Sequence, residues 1–234
     1  MGGGATLTVD NVIIGAGDNT AGSNLTLTGS GTKLETINDS WLKIGNTASA
    51  SAEVLNGASV ELDSSMGVGE SASSSLLIDN SSVTSSGMLH FNQYDSSEQQ
   101  RTSTVNIENG GNLDHGGRIR THEDLGVLNI TDGNVDAGYI ETFAGASLEI
   151  NIGAQGSLTL QTLSDPFEAE IGGDGTTVIN VWDGSEYVDY TTLTEGEDYY
   201  ITEERHDKTL SLVPEPMSFS LLAIGGMLIR RRRA

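Results

Sequence analysis

The chain has 234 residues, no cysteine, and 33 acidic residues against 11 lysines and arginines, for a net charge of −22. Its length allows one elongated domain, or one domain with a small module, and the missing cysteines exclude disulfides, thiol catalysis and thiolate metal sites. Without the four arginines that close the chain the remainder stands near −26, a charge that repels nucleic acid, favours solubility and could draw in divalent cations.

The chain opens Met-Gly-Gly-Gly-Ala and reaches Leu7 with neither the basic stretch nor the apolar run of a secretory signal. It does not suit myristoylation either. Read with the C-terminus described below, this opening is expected to be a truncated or misassigned start.

From Leu7 to about Leu163 the chain is rich in Gly, Ser, Thr, Asn and Asp, and no stretch keeps a helical period. Short alternating apolar pairs recur instead: Leu25/Leu27, Ala52/Val54, Leu76/Ile78, Val105/Ile107, Leu128/Ile130 and Leu148/Ile150. Their second members lie 27, 24, 29, 23 and 20 residues apart, a period that indicates a solenoid. A second anchor follows each pair (Leu34, Val60, Val83, Leu113, Val135, Leu158), and in five units a third (Ile44, Val68, Phe91, Ile119, Ile140). Asn56-Gly57, Asn109-Gly110-Gly111 and Asp132-Gly133 read as corners, because these residues accept left-handed backbone angles. The longest insertion is Asn92–Thr104. Three short strands per turn predict an all-β fold, a parallel β-helix over residues 1–163. An antiparallel sandwich is the other arrangement with this strand content, but it has no reason to repeat the same corner chemistry.

Past Leu163 the composition shifts, with six of the 12 aromatic residues between Phe167 and Tyr200. Strand-like runs at 177–182, 186–191, 199–203 and 209–213 alternate with turn signals such as Asp183-Gly184. Residues 164–213 are therefore expected to form an antiparallel β cap over the open edge of the solenoid.

The densest group of ionisable residues is His115-Gly-Gly-Arg118-Ile-Arg120-Thr-His122-Glu123-Asp124. On a strand, Arg118, Arg120 and His122 share one outer face. A polysaccharide lyase could use such a face, with a base to take a proton and cations to hold a uronate. The other reading is a solvated face whose charges pair with Glu108, Glu123 and Asp124, and no second constellation one turn away supplies a lyase with acids and metal ligands. Carboxylates at Glu35, Asp39, Glu53, Glu61, Asp63 and Glu70 could serve glycoside hydrolysis, but with so many acids their proximity carries no weight. Gly15-Ala-Gly-Asp-Asn and Ile171-Gly-Gly-Asp-Gly-Thr-Thr use the residues of calcium β-rolls without the tandem repeat, so turn formation is expected. His90, His115, His122 and His206 lack zinc spacing. No cofactor and no catalytic residue is assigned.

The last residues carry the most specific pattern: Pro214-Glu215-Pro216, an uncharged stretch from Met217 to Ile229 with Leu221-Leu222 and Gly225-Gly226, then Arg230, Arg231, Arg232 and Arg233. This order resembles the PEP-CTERM sorting signal of exported proteins in Gram-negative bacteria. The resemblance covers residues 214–234 and implies a short transmembrane helix at 217–229 with the arginine cluster in the cytoplasm. It also implies processing by exosortase, a membrane transpeptidase-like enzyme. Thirteen residues span roughly 20 Å as a helix, short of the roughly 30 Å hydrocarbon core, which suits a temporary tether. The repeats are in turn similar to those of autotransporter passengers and other PEP-CTERM proteins. The resulting expectation is a non-enzymatic protein, first tethered to the inner membrane and then at the cell surface or secreted. Its implied partners are exosortase and extracellular polysaccharide or biofilm matrix. A secreted β-helical polysaccharide lyase or hydrolase is the alternative.

Overall fold

The computed structural model describes residues 4–16, 22–93, 100–161 and 171–213. Within them the chain is all-β, a parallel β-solenoid of about six turns without an α-helix. Strands β1 (Thr6–Val9), β2 (Val12–Ile14) and β3 (Ser23–Thr28) begin three stacks. The first face continues from β3 through β6 (Ala50–Leu55), β9 (Ser75–Asp79), β12 (Thr102–Glu108) and the starts of β14 (Leu125–Thr142) and β15 (Ser147–Gln161) to β17 (Thr176–Trp182). The second runs from β1 through β4 (Lys33–Thr36), β7 (Ser59–Leu62), β10 (Ser82–Ser85) and the first part of β13 (Gly111–Thr121) to the middle of β14 and the end of β15. The third joins β2, β5 (Leu42–Ile44), β8 (Met66–Val68), β11 (Leu89–Phe91), the rest of β13, the end of β14 and β16 (Ile171–Gly172).

Side chains alternate across each strand, so every second residue enters the interior. All six expected second anchors, Leu34, Val60, Val83, Leu113, Val135 and Leu158, form one buried column in parallel register. On the first face the column through Val105 and Leu128 continues to Ile150 and Ile179, and its neighbour runs through Ile107, Ile130, Ile152 and Val181. The sixth apolar pair is thus Ile150/Ile152, and Leu148 pairs with Gly126. On the third face Ile119 and Ile140 align with Leu89, while Phe91 aligns with Val68 and Thr121. Both shifts are of two residues, which keeps every apolar side chain inside. The large Phe91 ring is accommodated by what lies around it: a Cβ on Gly126 would sit 2.9 Å from its Cγ.

Two kinds of corner join the first and second faces. Asn56, Asn80 and Asn109 take left-handed φ values of 56°, 46° and 50°. The Asn56 amide donates to the Asp79 carbonyl of the next turn, and that of Asn80 to Glu108. In later turns Gly111, Gly133 and Gly156 stack in register, and a Cβ on Gly133 would lie 2.4 Å from the Gly111 carbonyl oxygen. Asp132-Gly133, expected as a turn, therefore sits inside the extended β14, where its glycine serves close backbone approach. Of the Asn92–Thr104 insertion, residues 94–99 lie outside the described residues.

The parallel stack runs further than the composition shift suggests, since Thr176–Trp182 pairs in parallel with β15. Beyond it the pairing turns antiparallel. Strand β18 (Tyr187–Asp189) adds to β17, β20 (Asp207–Leu212) adds to β15 on the second face, and β19 (Tyr199–Glu204) adds to β20. Tyr190 and Tyr199 meet edge to face at 5.6 Å and are buried there. The proposed sorting motif, membrane segment and arginine cluster lie outside the described residues, and no helix among the described residues is long and apolar enough to cross a membrane.

Candidate functional site

Alternation along β13 and β14 sends Arg118, Arg120, Tyr139 and Glu141 outward on the third face, one turn apart in register. Glu141 Oε2 accepts from Arg118 Nη1 at 3.2 Å and from Arg120 Nε at 2.5 Å. The Arg118 guanidinium also lies 4.2 Å from the Tyr139 ring centre. Glu108, Glu123 and Asp124, the expected partners, do not fill that role. Glu123 and Asp124 instead hold Arg101, at 3.0 and 2.7 Å. Arg101 is 3 % exposed and donates a further bond to the Glu70 carbonyl oxygen.

The histidines divide. A bulge between His115 and Arg118 separates two parts of β13, and His115 points into the core beside Ser85 and Ala137. Neither of its ring nitrogens reaches a partner with hydrogen-bond geometry. Burial pushes its pKa down to about 4, against a smaller opposing pull from the Gly87 backbone. His122 remains outside, stacked between His90 and Phe143 with ring centres 5.1 and 4.8 Å away. Trp41 extends the stack from His90 at 5.2 Å. His90 Nδ1 and His122 Nε2 stand 2.9 Å apart, so one must donate and the other accept. Burial, then the neighbouring His122 and Arg120, lowers the His90 pKa to about 3, and burial with Arg120 lowers that of His122.

The carboxylates proposed for hydrolysis are spread over all three faces. Glu35 and Glu61 flank Lys33 on the second, at 3.5 and 2.6 Å. Glu53 accepts from Thr26 on the first, and Asp63 accepts the Asp39 amide at a corner. Glu70 is fully buried at the third, with Oε2 3.0 Å from Lys43 and Oε1 without a partner. Among the described residues, no three His, Asp and Glu side chains are grouped so as to hold a cation.

The third face and the corner that leads from it to the first present a charge-balanced strip on an acidic body: Lys43, Arg118 and Arg120 with Arg101 at the corner, against Glu70 and Glu141 with Glu123 and Asp124 at the corner. Sequence reading placed Arg118, Arg120 and His122 together. It missed Glu141 and the Trp41–His90–His122–Phe143 stack, although Glu141 stands one turn, 21 residues, beyond Arg120. Because this cluster is partly exposed, Glu141→Gln should cost only about 1 kcal/mol. A lowered thermal midpoint that recovers toward wild type at 1 M salt is the expected result, since salt screens the pairs that the substitution removes; a deficit indifferent to salt would contradict it. No protein-family model, curated protein or solved structure matches the chain.

Proposed function

We propose that this is an exported, non-enzymatic surface or matrix protein, sorted by exosortase through residues 214–234. The observation that carries the reading is the order of Pro214-Glu215-Pro216, the uncharged segment 217–229 and Arg230–Arg233. Charge asymmetry places the arginines on the cytoplasmic side and the solenoid outside. The short span serves as a tether until the tail is processed. Strands β18, β19 and β20 act as the cap, because antiparallel additions to β17 and β15 cover edges that would otherwise invite further strands. A non-enzymatic role is supported by the third face, where Glu141 engages both arginines that a lyase would direct at its substrate.

Cell fractionation of the full chain tests this. The tagged protein should pass through a membrane-bound precursor to a shorter extracytoplasmic form, and Pro214→Ala with Pro216→Ala should hold the precursor in the membrane. Uncleaved protein in the cytosol, or processing that the double substitution leaves unchanged, would overturn the proposal. Unsaturated products from an acidic polysaccharide, lost in Arg118→Ala, would move the assignment to the lyase class.

A further inference from the structure

The first face carries a surface with a different character. Two hollows of about 290 and 280 Å³ share Leu125 and Ser147 and so form one groove along the solenoid axis. Registers between successive turns arrange its lining, and the residues next to it, in columns. Thr102, Leu125, Ser147 and Thr176 form one; Thr104, Val127, Glu149 and Val178 form the next. Beside them runs an amide ladder, Asn106–Asn129–Asn151–Asn180, with successive bonds of 2.8, 2.9 and 2.9 Å. Two residues beyond Asn180 on the last strand of this face, Trp182 meets Tyr187 edge to face at 5.3 Å, and Tyr187 is 40 % exposed.

We propose that this groove binds an uncharged linear glycan. The lining joins apolar patches to a few fixed polar groups, the usual makeup of a ligand site. Leu125, Val178 and the aromatic pair suit the C–H faces of sugar rings. Acceptors for hydroxyl groups stand beside them: the carboxylate of Glu149, steadied by Asn151 at 2.9 Å, and that of Asp124, steadied by Arg101. Each ladder carbonyl that accepts from the next amide retains a second lone pair. The ladder amides recur at the strand spacing of about 4.8 Å, so a polymer with a repeating hydroxyl pattern can be held over several turns. Charge sets the class of glycan. Among the described residues the groove's one lining cation, Arg101, is already held by Glu123 and Asp124, and the surrounding body repels polyanions.

The proposal rests on the matrix reading for its class of partner, but its test does not involve export. The purified full-length chain is examined by affinity electrophoresis and calorimetry against dextran, a soluble β-1,3-glucan and galactomannan, with alginate and hyaluronate as acidic probes. At least one neutral glycan should bind and the acidic ones should not. Ser147→Trp, which fills the centre of the groove, should weaken binding at least roughly tenfold. Trp182→Ala, beside the groove and two residues past its lining residue Asn180, should also weaken it and serves where Ser147→Trp shifts the thermal midpoint. Arg118→Ala, on the third face, should bind as wild type. Failure of every neutral glycan to bind, equal binding of alginate or hyaluronate, unchanged affinity in both groove variants, or loss in Arg118→Ala would each overturn the proposal. Because processing is read in cells and binding on purified protein, either proposal can fail with the other intact.

Discussion

As the pH falls from about 6.5 to about 4, the solenoid should lose about 3 kcal/mol of stability through His115 alone. The ring is fully buried and makes no hydrogen bond of good geometry, and desolvation outweighs the smaller pull of the Gly87 backbone, so the folded state holds it neutral and its pKa lies near 4. In the unfolded chain it titrates at the ordinary value. Above that value both states carry a neutral ring and the group is silent. Between the two values the unfolded chain binds the extra proton, which favours unfolding, and below the folded value the loss is complete. His90, lowered further to about 3, extends the decline in the same direction. Urea midpoints measured from pH 8 to 3.5 for wild type and His115→Leu isolate the effect from the carboxylates, which both proteins share. The variant's advantage should grow between pH 6.5 and 4 and then level off. Its neutral-pH stability should be at least that of wild type, because leucine removes two unpartnered polar atoms from the core. Parallel curves would show that the buried ring is not what the acid attacks.

Phe91→Ala should destabilise the protein by about 3–5 kcal/mol, the range for emptying a fully buried aromatic site. Phe91 is completely enclosed, between Val68 on one turn and Thr121 on the next. A stack of turns that contact only their neighbours cannot close such a gap without disturbing registers on both sides. The site also makes a sharper test. A Cβ on Gly126 would stand 2.9 Å from Phe91 Cγ and 3.0 Å from its Cβ, so Gly126→Ala alone overpacks the core. Phe91→Ala removes that Cγ and leaves room at the same place. The two together should therefore cost less than the sum of the singles, by about 1 kcal/mol in a double-mutant cycle of thermal or urea unfolding. Additive losses would mean that the two sites do not share one volume.

Why the repeat was legible is clear from Leu34, Val60, Val83, Leu113, Val135 and Leu158, where apolar side chains return to one buried column. Hydrophobic periodicity reports that column because burial there tolerates few alternatives. The same periodicity cannot separate positions two apart, since both face inward, and so the last pair was read as Leu148/Ile150 where the column holds Ile150/Ile152. Composition likewise misleads at Thr176–Trp182: its aromatic-rich surroundings suggest a separate unit, yet parallel pairing with β15 places it in the stack. Gly133 looked like a turn residue, but what it provides is room for the Gly111 carbonyl. At the third face, alternation was enough to group Arg118 with Arg120. Their partner Glu141 became visible only with the registered turn length, because it belongs to the next turn and not to the local sequence. The groove on the first face follows the same logic, as its columns draw one residue from each of four turns.

On the second face, equivalent residues from Leu7 to Leu158 are 22 to 30 residues apart in sequence, yet each step advances the molecule by the same strand spacing of about 4.8 Å. Differences in the number of residues per turn therefore leave the length of the body unchanged. Duplicating or deleting one whole turn would instead change its length by one fixed increment. The dimension along the axis is therefore quantised and insensitive to loop drift, so a lineage could set how far the protein reaches by counting turns, leaving both ends of the stack chemically unchanged.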